Sequence, residues 1–273
     1  MSVQTDTDSR PAIAPAAGAM GSFRGAVAAE WTKLSSVRST WWTALAGLLV
    51  MAASAGQLAI YAANDNTNDD PTDDRGIVTV GSVLIDSVEM TQYVMLALGL
   101  LAITAEFTSG TIRTTLQCTP SRGRVLLAKA VVTFAVTFVL GLLLGGVGAL
   151  VARPVLGEWG SAPAAGTIGD IVAVAIYLAL VGVLALGLGA ALRSAVLTIT
   201  VLLATLMIVP LSLQQPDIDV LNRIADVFPG VAGGHFLAGD TEPYPSMVGL
   251  LLLAGWAGAA LLLGRAALRR RDA

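Results

Sequence analysis

Six apolar stretches separated by short polar segments divide the chain, at residues 42–63, 87–105, 131–152, 171–192, 195–213 and 247–264. Each has close to the ~20 residues that a helix needs to cross a hydrocarbon core about 30 Å thick. Open strands cannot satisfy their backbone groups in lipid, so each stretch predicts a helix. The pattern therefore predicts an all-α integral membrane protein with six transmembrane helices.

The lysines and arginines between these stretches fall on alternate sides of the predicted membrane. Cytoplasmic segments near the ends of spans carry the excess of Lys and Arg. If the N-terminus lies inside, thirteen of the sixteen basic residues are cytoplasmic, and the other three, Arg75, Arg153 and Arg223, lie outside. This asymmetry predicts that both termini are cytoplasmic.

Polar segments at both ends of the chain mark the predicted boundaries of the transmembrane domain. Residues 1–22 begin with acids, and Pro11, Pro15 and Gly18 interrupt the stretch after Arg10, which is unlike a secretory signal peptide. We predict a disordered cytoplasmic tail at 1–22, a six-helix transmembrane domain at 23–264 with an inner loop at 106–122, and a basic cytoplasmic tail at 265–273.

Composition supports a membrane domain with short connections. Hydrophobic residues make up 55% of the chain and charged residues 13%, against roughly 45–50% and 25% in soluble domains. The basic residues are scattered along the membrane edges rather than gathered on one face, which argues against a nucleic-acid partner. Cys118 is the single cysteine, so no disulfide can form within the chain. These features predict a multi-pass protein of the cytoplasmic (plasma) membrane, in contact with lipid.

Helical spacing begins ahead of the first span. Phe23, Val27, Trp31 and Leu34 recur at intervals of 4, 4 and 3 residues, while charged residues take the other faces. This spacing predicts an interfacial helix whose apolar face lies on the membrane. A plain extension of the first span is the alternative.

Several enzyme classes are excluded by missing residues. A P-loop needs Gly-Lys followed by Ser or Thr, and neither Lys33 nor Lys129 follows a glycine. Zinc sites need clustered His and Cys ligands, but His235 and Cys118 are single and lie on opposite sides of the predicted membrane. We therefore predict no enzyme activity, no metal site and no cofactor in this chain.

The segment between the second and third spans has the most specific pattern. Residues 106–116 form a short predicted helix with Ile112 and Leu116 on one face and Arg113 beside them. Pro120 ends it, and Ser121 is a predicted N-cap for the helix that enters the third span. So short a helix needs a partner surface to be stable.

Two sequence runs resemble the membrane-spanning permease family of ABC (ATP-binding cassette) type-2 exporters. The first is EWTKL at 30–34, followed by SVRSTWW at 36–42, and the second is EFTSGTIR at 106–113, followed by PSR at 120–122. The resemblance covers nearly the whole chain. It implies an exporter subunit that moves substrate outward, driven by two copies of a separate cytoplasmic ATPase that binds ATP and Mg.

The resemblance assigns roles to particular residues by position. The loop after the second span corresponds to the family's coupling element, and the helix before the first span corresponds to its connecting helix. The implied ATPase-coupling residues are Glu106, Gly110, Thr111, Ile112, Arg113 and Leu116.

The segment between the fifth and sixth spans, residues 214–246, is too long for a simple turn. Its apolar positions predict an amphipathic helix at 217–228 closed by Pro229, with Gly230, Gly233 and Gly234 as the turn before a second piece. The resemblance implies outer re-entrant helices here, and a surface helix is the alternative.

The resemblance also implies a second permease half, either another copy of this chain or a different one. Gly141, Gly145 and Gly148 in the third span permit close helix approach, either within the chain, which we favour, or at a dimer seam.

Asp86 and Glu89 are the acids closest to a span interior, and they form the candidate substrate path. If the second span begins later, both are surface carboxylates. Alternative functions are a non-transport scaffold or sensor accessory, and a secondary transporter.

Overall fold

The computed structural model describes residues 23–68, 72, 74–110 and 122–270. Its helices are α1 (Phe23–Ser36), α2 (Arg38–Asp65), α3 (Val80–Ser109), α4 (Arg122–Leu156), α5 (Ala164–Leu192), α6 (Ala195–Leu203), α7 (Val209–Gln214), α8 (Asp219–Ala225), α9 (Pro229–Ala238) and α10 (Ser246–Arg270). Two short strands, β1 (Val78–Thr79) and β2 (Gly160–Ser161), a 3₁₀ turn (Gly157–Trp159) and a π-helical turn (Ala204–Ile208) complete the elements of the described residues.

Six helices among the described residues are long and apolar enough to span a membrane. Five of them are α2, α3, α4, α5 and α10, and the sixth combines α6 and α7. The predicted helical architecture with six helices of membrane-spanning length is thus confirmed, and the cytoplasmic position of the termini stays a prediction. Helices α2 to α5 extend into the polar residues that flank the apolar stretches, and α10 continues to Arg270, because backbone hydrogen bonding does not stop where hydropathy falls. The predicted tail at 1–22 lies outside the described residues.

Helix α5 is the centre of the bundle, and it packs against α3, α4 and α10. Two-thirds of its most apolar window, 67%, is buried within the chain, compared with 28% for α2 and for α10. Leu178, Leu184 and Leu186 are fully buried on it. The other spans therefore surround α5 and leave their outer faces to the surroundings.

Glycines allow these helices to approach closely. A Cβ on Gly99 of α3 would come within 2.2 Å of the Gly182 carbonyl oxygen of α5. Gly141 and Gly145 of α4 likewise face α5, at Ala175 and Ile171, whereas Gly148 faces Met51 and Leu84 of α2 and α3. The three glycines of the third span thus serve packing within the chain, as favoured from the sequence.

The fifth span is not a continuous α-helix. Residues Ala204–Ile208 between α6 and α7 form a π-helical turn, in which the Val209 N–H donates to the carbonyl of Ala204. Pro210 follows at once, and it has no N–H to continue the α-helical pattern. The fifth span is therefore interrupted by a π-bulge just before Pro210.

Helices α8 and α9 lie between the fifth and sixth spans, as predicted, but the division between them differs from the sequence-based expectation. Pro229 does not close the first helix; it opens α9, where a proline is pre-organised for the first turn. Gly230, Gly233 and Gly234 lie inside α9 and form no turn, so that prediction is wrong. Packing explains two of these glycines, because a Cβ on Gly230 would meet the Leu206 carbonyl at 1.9 Å and one on Gly233 would meet the Tyr177 ring at 2.2 Å.

The helices place α1 at one end of the bundle, which we call the α1 end, and α8 and α9 at the other. The α1 end carries the last turns of α3, α5 and α10 and the first turns of α2, α4 and α6. At the opposite end, β1 and β2 pair in parallel, with Val78 beside Gly160 and Thr79 beside Ser161.

Replacing Gly99 with Ala tests the close contact between α3 and α5. The added methyl group must displace the α5 backbone, and overpacking of this kind costs about 1–3 kcal/mol. We expect a lower midpoint for thermal unfolding of the detergent-solubilised protein. The matched control is Gly146→Ala in α4, where a Cβ meets nothing within 4 Å; equal midpoints for the two variants would contradict the packing.

Candidate functional site

Four charged side chains from three helices meet at the α1 end. We call Glu30 and Lys33 of α1, Glu106 of α3 and Lys129 of α4 the ion cluster. The Lys129 Nζ atom donates to Glu106 Oε1 at 2.8 Å and also to Glu30 Oε2. The Lys33 Nζ atom donates to Glu30 Oε1 and Glu106 Oε1, both at 3.0 Å. Each ammonium thus bridges the same two carboxylates, and the formal charge of the four groups is zero.

The members of the ion cluster differ sharply in their access to the surroundings. The exposed fraction of the side chain is 4% for Lys129, 7% for Glu30 and 12% for Glu106, but 44% for Lys33. Charges removed from water need close partners and additional hydrogen bonds. Lys129 meets that need fully, since its ammonium also donates to the Ala102 carbonyl at 3.2 Å.

Burial by itself lowers the pKa of Lys33, yet the carboxylates of Glu106 and Glu30 outweigh that effect and hold its pKa above the ordinary value of 10.5. The Lys33 ammonium is therefore charged at neutral pH. It completes the charge balance that Lys129 alone cannot provide for two carboxylates.

Local helix geometry explains how the three helices deliver these residues. Ala26, Glu30 and Leu34 follow one another at i, i+4 spacing on the face of α1 that turns toward the bundle, and Glu30 is the buried residue of that helix. Glu106 lies in the last turn of α3, at the negative end of its helix dipole. Pairing with Lys129 offsets this unfavourable position.

A cleft of about 560 Å³ adjoins the ion cluster. It lies between α1, the first turns of α2, the last three turns of α3 and the start of the apolar part of α4. Its walls are largely apolar, and its polar groups are the ion cluster and four hydroxyl side chains. The residues that line it are Glu30, Lys33, Leu34, Val37, Ser39, Thr40, Thr43, Leu98, Leu101, Ala102, Ala105, Glu106, Lys129, Val132 and Thr133.

A second cationic contact lies one residue beyond Glu106. The Arg193 guanidinium sits 5.3 Å from the centroid of the Phe107 ring, and its Nη2 donates to the Ala267 carbonyl at 3.4 Å. Arg193 itself takes a left-handed conformation, φ 56°, where it ends α5. The last turn of α3 is thus held by α1 and α4 on one side and by the ends of α5 and α10 on the other.

The structure describes two of the predicted coupling residues. Glu106 belongs to the ion cluster, and Gly110 ends α3 in a left-handed conformation, φ 73°, with its N–H donating to the Phe107 carbonyl. Thr111, Ile112, Arg113 and Leu116 lie outside the described residues. Coupling remains a prediction for the whole set.

The predicted interfacial helix exists as α1, but its buried contact is not the apolar one. Phe23 and Trp31 are exposed, Val27 and Leu34 are partly buried, and the buried side chain is that of Glu30. Phe23 and Trp31 therefore remain available for lipid, whereas Leu34 turns toward the bundle, where Glu30 attaches the helix.

Asp86 and Glu89 lie in the second and third turns of α3, near the end of the bundle opposite to α1. Both are exposed, and neither lines the cleft. A role in the substrate path stays a prediction for these two acids.

Sequence reasoning missed three members of the ion cluster as site residues, namely Glu30, Lys33 and Lys129. The available signals were Lys129, two residues ahead of the apolar stretch at 131–152, and Glu30 within the helical spacing that begins at Phe23. That signal does not identify partners, because the cluster joins residues 73 and 99 positions apart.

No protein-family model matches this chain, and no curated protein is significantly similar to it.

Among the described residues, the structure groups no three His, Cys, Asp or Glu side chains that could hold a metal ion. The chemistry that the ion cluster itself offers is the recognition of charge, because each ammonium binds two carboxylates.

Replacing Lys129 with Met tests the ion cluster as a structural connection. The variant leaves two largely buried carboxylates with the Lys33 ammonium alone, and breaking a buried pair costs about 3–5 kcal/mol. We expect a marked loss in the thermal midpoint of the solubilised protein. Lys33→Met is the matched comparison, and we expect a smaller loss because the Lys33 side chain is 44% exposed, whereas that of Lys129 is 4% exposed. Equal losses for the two variants would contradict the difference in burial.

Proposed function

We propose that this chain is the transmembrane permease subunit of an ABC type-2 exporter, driven by a separate ATPase. One observation carries the proposal: the ion cluster joins α1 to the last turn of α3, next to the loop at 111–121. The sequence resemblance makes α1 the counterpart of the family's connecting helix, and it makes the end of α3 with the segment after it the counterpart of the coupling element that docks on the ATPase. A buried charge connection between them is what coupling through that loop requires.

The distribution of charge supports an orientation with the α1 end in the cytoplasm. Lys33, Lys129 and Arg193 lie at this end, as do other basic residues flanking the spans. Arg75, Arg153 and Arg223 are at the opposite end. Excess positive charge on one side favours the cytoplasmic side, so the proposed location is the plasma membrane with both termini inside.

The proposed mechanism passes force through the end of α3. ATP and Mg bound by two partner ATPases drive their closure, which pushes on the loop after α3. The ion cluster carries that movement to α1 and α4, and the bundle rocks against a second permease half. ATP can drive this switch only if the partner binds the two states of the permease unequally. Export, rather than import, rests on family analogy.

Two other functions make different demands. A scaffold or sensor accessory would use its inner loops to bind a regulator without ATP hydrolysis, and a secondary transporter would need a coupling ion. The presence of a bound ATPase separates the proposed exporter from both.

The test is an affinity purification from gently solubilised membranes, followed by an ATPase assay of the eluate. We expect a P-loop ATPase to co-purify with the native chain and to be lost with the Ile112→Asp, Arg113→Glu double variant. The matched control is Ile77→Asp, Arg75→Glu, which makes the same changes at the opposite end of the bundle, where Ile77 is 71% exposed.

Retention of the ATPase by the control and its loss from the loop variant would support the proposal. A folded native chain that brings down no ATPase would refute it and favour the accessory or secondary-transporter functions.

A further inference from the structure

The ion cluster already holds one ammonium in a position that a ligand could take. The Lys33 Nζ atom lies 3.0 Å from Glu30 Oε1 and 3.0 Å from Glu106 Oε1. The two carboxylates are largely buried, whereas the lysine that reaches them is 44% exposed. The position is thus a built receptor for a primary ammonium, occupied by a side chain on a flexible stem.

The two lysines of the cluster differ in how readily they can leave. Lys129 is almost fully buried, and its ammonium bonds to Glu30, Glu106 and the Ala102 carbonyl. Lys33 can swing its four-carbon stem into water and keep its charge hydrated. Its departure takes one positive charge away from the ion cluster, whose four groups are otherwise neutral together, and a cationic ligand restores that charge.

The cleft beside this position supplies the rest of a ligand site. Its volume of about 560 Å³ falls within the range of small-molecule pockets, roughly 300–1,000 Å³. Leu34, Val37, Leu98, Leu101 and Val132 make its walls apolar. A molecule that fits both parts has an apolar body and one primary ammonium at its end.

We propose that the cleft between α1, α2 and α3 binds a free amphipathic primary amine, whose ammonium replaces that of Lys33 between Glu30 and Glu106. Binding needs no other protein. If the chain is an exporter as proposed above, this amine is its transported cargo; that assignment rests on the proposed function.

The geometry also defines which molecules the cleft rejects. An anion meets two carboxylates, and a neutral alcohol cannot take over the charge of Lys33. A trimethylammonium group has no N–H to donate and cannot make the two 3.0 Å hydrogen bonds that the Lys33 ammonium makes. Discrimination therefore depends on the two carboxylates rather than on hydrophobicity.

The test is equilibrium binding of radiolabelled dodecylamine to the purified full chain in phosphatidylcholine nanodiscs. Dodecanol and dodecyltrimethylammonium serve as ligands of equal chain length, and empty nanodiscs give the partition background. We expect saturable binding of dodecylamine above that background, and competition by neither of the other two molecules. Competition by dodecanol as strong as by unlabelled amine would overturn the proposal.

Two variants give opposite expected results. Lys33→Gln removes the competing ammonium, and if Lys33 fills the position about nine-tenths of the time the Kd falls about tenfold. Glu106→Gln removes one of the two acceptors and raises the Kd at least about tenfold, since a charged hydrogen-bond partner is lost. The control, Glu158→Gln, alters an exposed acid outside the cleft and leaves the Kd unchanged.

Misfolding cannot raise the affinity for the amine, so the Lys33→Gln result is informative even if Glu106→Gln fails to fold. An unchanged or higher Kd for Lys33→Gln overturns the proposal. Nanodiscs that contain phosphatidylethanolamine test a lipid headgroup as the source of the ammonium. Strong competition by that lipid would overturn the free amine as ligand.

The assay contains no ATPase, which separates this proposal from the exporter function. If the chain retains its ATPase but binds no amine, amine binding in the cleft is refuted and the exporter function is unaffected. If the chain binds the amine but brings down no ATPase, amine binding in the cleft is supported and the role of the amine as exported cargo is refuted.

Discussion

The buried pairing of charge at the α1 end is the constraint on which the rest of this structure depends. Glu30, Glu106 and Lys129 are nearly removed from the surroundings, and none of them is tolerable there without the others. Their pairing fixes α1 against the bundle and sets the distance between the last turn of α3 and the start of α4. It thereby also shapes the cleft, which exists because α1 is held by polar contacts at one end rather than by a continuous apolar face.

The remainder of the bundle is held by close backbone approach. Gly99, Gly141 and Gly187 bring neighbouring helices onto or beside α5 at distances that leave no room for a Cβ. Helices in lipid associate through such packing because lipid chains offer no hydrophobic drive for association. The molecule thus combines a centre packed through backbone contacts with a cluster of paired charges at the α1 end, and the π-turn before Pro210 interrupts the regular backbone of one span.

The two proposals meet at the same residues. Glu106 ends the helix that leads into the coupling loop, and it also accepts from the ammonium that a ligand would displace. If both proposals hold, occupation of the cleft and engagement of the ATPase bias the same connection between α1 and α3. Linkage then requires the effect to be reciprocal: whatever the ATPase does to amine affinity, the amine does to ATPase affinity.

The sequence by itself determined the number of spans, their helical nature, the helix ahead of the first span and the presence of short helices between the fifth and sixth. These features arise from hydropathy and helical periodicity, which are local properties. The tertiary structure decided which charges meet, because Lys129 and Glu30 are 99 positions apart and their separate contexts resemble ordinary membrane-edge residues. It also decided that Gly230 and Gly233 lie within α9, since the neighbours that a Cβ would meet there, Leu206 and Tyr177, come from other spans. Pairing and close approach are properties of positions in space, and a linear pattern does not contain them.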